Sequence, residues 1–191
     1  MNTLSFKFGP SPESNDHEVR VLVDGVDILE RVDKSLLGLD PVDFFAQRSL
    51  KETGSLLIGR CGCGCLGRGD EVVKGVHEAT TVSWESSHQW ISEVIFERSE
   101  YLAAVARARA DTSWETVERT AERLVSSLDF SAFERRGMKL EWASGRIDKA
   151  RLALSFNRGG QQELCYVDWD HRNPTQAELA VREFIRDQES V

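Results

Sequence analysis

The stretch Met138–Trp169, MKLEWASGRIDKARLALSFNRGGQQELCYVDW, decides the fold class. Apolar side chains fall on alternate positions three times over: Met138, Leu140 and Trp142, then Leu152, Leu154 and Phe156, then Cys165, Val167 and Trp169. A period of two puts side chains on one face of a strand, and the intervening Ser144-Gly145 and Asn157-Arg158-Gly159-Gly160 are turn formers. The segment therefore reads as a three-stranded antiparallel meander with Trp142 and Phe156 in its core.

On either side the period changes to that of a helix. Upstream, Trp114, Val117, Ala121, Leu124, Val125 and Leu128 form an apolar stripe over Thr112–Leu128, and Thr112 with Glu115 has the spacing of a capping box. The spacing predicts Leu124 buried. Before it, Ser99–Ala110 gathers Tyr101, Leu102, Val105 and Ala106 on one side and places Arg107 and Arg109 near its end, where cations suit the helix dipole. Downstream, Asn173 is a cap and Pro174 the first position of a helix over Thr175–Asp187, with Leu179, Ala180, Val181, Phe184 and Ile185 buried in part.

The first hundred residues return to period two. Leu4, Phe6 and Phe8, and Val19, Val21 and Val23, mark two strands that pair across Pro10–Asp16; Asp24-Gly25 is a turn. Asp40-Pro41 starts a short helix that buries Phe44 and Phe45. Further strands are expected at Leu56–Ile58, Glu71–Val76, Thr80–Trp84 and Trp90–Phe96. Strands, then a helical pair, then strands, then a helix is the order of an α+β protein, mainly antiparallel sheet with a central helical pair and a C-terminal helix. The 191 residues read as one domain, 1–191, with a β-rich acidic lobe at 1–97 and a lobe of helices plus meander at 98–191.

Composition narrows the function classes. Residues 1–97 hold 9 Lys and Arg against 16 Asp and Glu, and residues 98–191 hold 15 against 16, for a net −8. An acidic first half disfavours nucleic acid, whose phosphates demand clustered cations, and suits a basic protein partner or simply a solvated surface. No segment reaches the roughly 18 apolar residues of a membrane span, and Met1–Gly9 lacks the form of a signal peptide. With four cysteines and no such signal, the expected setting is the reducing cytoplasm, without a membrane partner.

The unusual chemistry lies in Gly59–Asp70, GRCGCGCLGRGD. Cys61, Cys63 and Cys65 would share one face if strand geometry persisted, and with Cys165, His77 or His88 they make a candidate zinc set. Structural zinc sites usually use C-x2-4-C pairs, which this is not. A redox-active loop and small reduced cysteines packed in a glycine turn are the alternatives. The expectation is no cofactor and no stoichiometric zinc. The succession VRVLVDGVDIL (19–29), LDPVDFF (39–45) and LLIGRCGCGCLGRGD (56–70) resembles a family of small uncharacterised bacterial proteins with a CxCG-type loop between strands. That resemblance covers the first half of the chain and implies no activity. Arg68 stands where a further cysteine often follows in that family.

None of the four histidines falls in a complete catalytic motif. Asp168, Asp170 and His171 make the best enzymatic alternative, a divalent-metal or acid–base set, set against the ordinary polarity of a strand end before a capped helix. The leading expectation is a cytoplasmic protein-binding module, analogous to an immunity-type inhibitor of a bacterial toxin. Its candidate partner-binding residues are Asp24, Asp27, Glu30, Asp33, Glu85, Trp90 and Glu93.

Overall fold

A computed structural model describes residues 1–11, 17–62, 69–88, 91, 94–148 and 150–189. The chain is α+β, and its contacts divide it into two compact units, Met1–Trp114 and Glu115–Val191. The boundary falls after the helix that the sequence groups with residues 98–191. The reason is packing: that helix buries Tyr101, Ala104 and Val105 in the core of the first unit.

In the first unit β1 (Leu4–Pro10), β2 (His17–Val23) and β3 (Val26–Asp27) form one antiparallel sheet. Asp24 and Gly25 both have positive φ, 52° and 78°, the backbone of the two-residue turn that matches strand twist. Next come α1 (Ile28–Val32), β4 (Leu36–Leu37) and α2 (Pro41–Ala46), the last capped by Asp40 with Pro41 at its first position. A second antiparallel sheet runs β4, β5 (Gly54–Cys61), β6 (Glu71–His77), β7 (Thr81–Glu85) and β8 (Ile95–Glu97) in chain order. The helix α3 (Arg98–Ala110) follows, with the Glu97 carboxylate accepting from the Glu100 N–H. Val19, Val21, Leu29, Phe44, Leu56, Ile58, Val73, Val82, Trp84, Phe96 and Tyr101 make one buried cluster. Of the strand expected at Trp90–Phe96 only Ile95–Glu97 is strand among the described residues, although Ile91 and Val94 are buried.

Two contacts shape this unit. A Cβ at Gly38 would stand 2.1 Å from the Val19 carbonyl oxygen, so only glycine lets β4's end approach β2 this closely. Where β4 has ended, the Gln47 amide takes its place beside β5: it receives the Leu57 N–H at 2.8 Å and donates to the Leu57 carbonyl at 2.9 Å.

The second unit holds α4 (Val117–Ser126), α5 (Ser131–Glu134), β9 (Met138–Ser144), β10 (Arg151–Arg158), β11 (Gln161–Asp168) and α6 (Pro174–Glu189). The meander is as expected, with β10 central and Gly159 and Gly160 turning at φ 59° and 88°. Phe133 of α5 stacks on Phe156 of β10, centroids 4.6 Å apart.

Four expectations need correction here. Trp142 is only half-buried because Leu140 pairs with Phe156 while Trp142 pairs with Ser155. Glu141 is thus an extra residue, and a bulge reverses the alternation beyond it. The capping box is not formed: α4 starts at Val117, and Thr116 caps it by accepting from Arg119 N at 3.3 Å. Glu115 instead receives Arg123 Nε at 2.7 Å and the Thr120 hydroxyl at 3.1 Å. Leu124 is half-buried, one step off the stripe of Ala121 and Val125. Along α6 the deeply buried line is Ala177, Val181 and Ile185, spaced four apart, which turns Leu179 outward at 48% exposure.

Candidate functional site

The cysteine loop spans the connection from β5 to β6. Cys63 and Cys65 lie outside the described residues, as do Trp90 and Glu93 of the partner-binding set. Cys61 ends β5, half-buried, and the Cβ position at Gly69 lies 3.6 Å from its Cβ, so the chain returns past the strand that it left. The residues proposed to complete a zinc set have other surroundings, His88 Nε2 lying 3.4 Å from Glu71 Oε2. His77 Nε2 stands 3.3 Å from the Ser49 carbonyl oxygen, its ring edge-on to Tyr101, and burial holds its pKa below the ordinary value. Cys165 belongs to the Glu115–Val191 unit, on the core-facing side of β11 opposite Leu154. Burial, and secondarily Glu163, push its thiol up, away from the thiolate that a metal needs. Among the described residues no three His, Cys, Asp or Glu side chains gather at metal-holding distance.

Asp168, Asp170 and His171 are not brought together as a ligand set either. The strand ends at Asp168, which pairs across the sheet with Arg151. Asp170 accepts from the Arg172 N–H at 3.0 Å, and His171 has a left-handed φ of 58°. Its ring stacks on Trp169 at 4.3 Å, and Nδ1 lies 3.9 Å from Glu118 Oε1 on the first turn of α4. Glu118 is the neighbour that spacing alone did not reveal, because 53 residues separate it from His171.

The acidic residues of the first unit carry clearer geometry. Asp24 receives the Thr3 N–H at 2.7 Å and Asn2 Nδ2 at 2.6 Å; Asp33 receives the Ser35 N–H and hydroxyl, both at 2.8 Å. Backbone donors first, then the side-chain donors, hold both carboxyls below the usual range, so these exposed groups stay ionised. Asp27 is committed differently. It caps α1 and takes two bonds from Arg20, at 2.7 and 3.1 Å. Arg20 also donates to the Leu36 carbonyl and lies 3.6 Å from Glu18, whose other oxygen accepts from Gly38 N at 2.7 Å. This clamp forms one wall of a groove of about 470 Å³ in which Lys7, Arg20 and Lys34 balance Glu18, Asp27 and Glu30. Glu30 itself is exposed, and Glu85 makes an exposed pair with Lys74 at 2.9 Å.

The resulting surface is a set of fixed carboxylates rather than one acidic pocket. The Met1–Trp114 unit has 12 Lys and Arg against 18 Asp and Glu, net −6, while Glu115–Val191 has 12 against 14, net −2. Such a surface attracts cations over about a Debye length. No protein-family model matches the chain, and searches of curated proteins and of solved structures likewise find no similar protein.

Proposed function

We propose that the chain is a cytoplasmic protein-binding module whose Met1–Trp114 unit meets a basic surface on a partner protein, in the manner of an immunity-type inhibitor covering the nucleic-acid- or nucleotide-binding cleft of a bacterial toxin. The observation that carries this reading is the pinning of Asp24 and Asp33 by backbone donors, which fixes ionised groups on a unit of net −6. Fixed charges lose less conformational entropy on binding than mobile ones and steer association from a distance. Among the described residues no helix is long and apolar enough to cross a membrane, which accords with a partner other than a membrane.

The test begins with capture of a partner from the source cell on the full chain. Association and dissociation rates are then measured between about 20 and 300 mM salt. The association rate should fall steeply while dissociation changes little. The double variant Glu30→Lys/Glu85→Lys should slow association roughly tenfold at low salt, and Glu183→Lys/Asp187→Lys on α6 should do less. Failure to capture a partner, or rates indifferent to salt and to both double variants, would reject the reading.

A further inference from the structure

A second groove, of about 490 Å³, runs along α3 and carries the opposite chemistry. Leu102, Val105, Ala106, Arg109 and Ala110 line it at helical spacing, and Lys51, which follows the 3-10 turn Arg48–Leu50, supplies the facing wall. Val105 is buried in the floor, whereas Ala106 and Ala110 are exposed and leave the space that larger apolar side chains would fill. Among the described residues no carboxylate lines the groove, in a unit whose sequence holds 18 of them. Among the described residues the side chains of Lys51 and Arg109 find no hydrogen-bond or ion-pair partner, although the Lys51 backbone N–H donates to the Arg48 carbonyl at 2.8 Å.

We infer that this groove binds an amphiphile with a single unbranched apolar chain and a carboxylate head. Sites for small ligands are typically a few hundred Å³, mainly apolar, with one or two charged groups that fix orientation, and this groove has that make-up. From Leu102 to Ala110 the helix rises about 12 Å, which accommodates an extended tail of about ten carbons. The tail lies over Val105, Ala106 and Ala110, and the head meets Lys51 and Arg109. A partner helix is a poorer fit: stable protein interfaces bury about 800 Å² on each side, far more than six residues provide. The inference is independent of the protein-binding proposal, since it uses cations where that proposal uses carboxylates.

Three probes with the same tail test it on the full chain by isothermal titration below their micellar concentrations: decanoate, decanol and decyltrimethylammonium. Decanoate should bind saturably, with a dissociation constant below about 1 mM, and on the order of tenfold more tightly than the cationic probe. Lys51→Glu/Arg109→Glu should reverse that order of preference. Ala106→Trp, which fills an exposed position, should weaken all three probes on the order of tenfold while leaving the circular dichroism and Tm unchanged. Should the double charge variant fail to fold, Ala106→Trp with the head-group comparison still decides the matter. Equal affinity for the anionic and cationic probes, the absence of saturable decanoate binding, or binding unmoved by Ala106→Trp in a folded protein would each overturn the inference.

Discussion

The two units differ in degree in how they partner their carboxylates. In Met1–Trp114 the carboxylates of exposed Asp24, Asp33 and Asp111 and of half-buried Asp40 end on backbone N–H groups, at the turn and cap positions where short acidic side chains serve best. In Glu115–Val191 several carboxylates end on arginine instead, Glu115 on Arg123, Glu163 on Arg158 and Glu178 on Arg182, while Asp129, Asp148 and Asp170 still receive backbone N–H groups. A backbone amide stabilises a carboxylate without cancelling its charge, whereas a guanidinium does both. The formal difference, net −6 against −2, is one of number. Buried polar groups differ likewise. Glu122, 6% exposed, receives Arg119 at 3.2 Å, Arg146 at 2.9 Å and Gly145 N at 3.0 Å. Trp84 Nε1 and the Tyr101 hydroxyl, both on residues 1% exposed, find no hydrogen-bond partner among the described residues.

The largest effect should come from breaking the well-partnered site. Glu122→Ala removes the carboxylate that joins α4 to the β9–β10 connection and leaves the buried Arg119 short of its counterion, so denaturant titration should show a loss of about 3–5 kcal/mol. Retention of stability would mean that the arginine-anchored arrangement is ornamental. The unpartnered site makes a second demand. Burial raises the Tyr101 pKa from 10.0 to about 12, opposed in part by the nearby Trp84 indole N–H, which does not reach hydrogen-bond geometry. A folded-state pKa above the unfolded value means that stability is intact below pH 10 and is lost as pH rises through 12, by about 2–3 kcal/mol in total. Tyr101→Phe should abolish that alkaline loss and, at pH 7, match or exceed the parent's stability because no hydrogen bond is given up. Stability curves of parent and variant that run parallel between pH 9 and 12 would contradict the assignment.

A smaller contrast concerns the start of α4. Thr116→Ala should cost about 1 kcal/mol as an N-cap, while Thr112→Ala, four residues earlier and outside the helix, should cost close to nothing. The reverse ranking in thermal melts would restore the capping box that the geometry excludes. The smallest effect separates charge from geometry at the β2–β3 turn. Asp24→Asn keeps a side chain that tolerates positive φ and can still accept hydrogen bonds, so its stability at neutral pH should fall only slightly. The depressed Asp24 pKa gives stability that is present above pH 3.8 and lost as pH falls through the folded value. The asparagine variant should therefore show a shallower acid limb, and an unchanged limb would remove Asp24 from the account.

Much of this architecture was legible because it rests on local pattern. Leu152, Leu154 and Phe156 alternate, pair as expected and are fully buried, and Asp24-Gly25, Asp40-Pro41 and Asn173-Pro174 do what their chemistry dictates. The failures have equally local causes that no spacing rule carries. One additional residue at Glu141 reverses a strand's alternation, and Thr112/Glu115 imitates a cap that Thr116 provides. The sites were less readable because they depend on distant partners: Arg20 with Leu36, His171 with Glu118, Lys51 beside Arg109. Only the fold brings those residues within reach of one another.

The amide beside β5 has a counterpart at the far border of the same sheet. Asn2 bridges to Phe96 beside β8, its N–H donating to the Ile95 carbonyl at 2.7 Å and its side-chain oxygen accepting the Ile95 N–H at 3.0 Å. An uncovered border strand offers a template on which another chain can lay down a strand, the first step towards cross-β association. Here Gln47 at one border uses its carboxamide as both donor and acceptor, and Asn2 at the other uses its backbone N–H as donor and its side-chain oxygen as acceptor. Two neutral residues thus occupy the backbone groups of Leu57 and Ile95, where a further strand would otherwise bond.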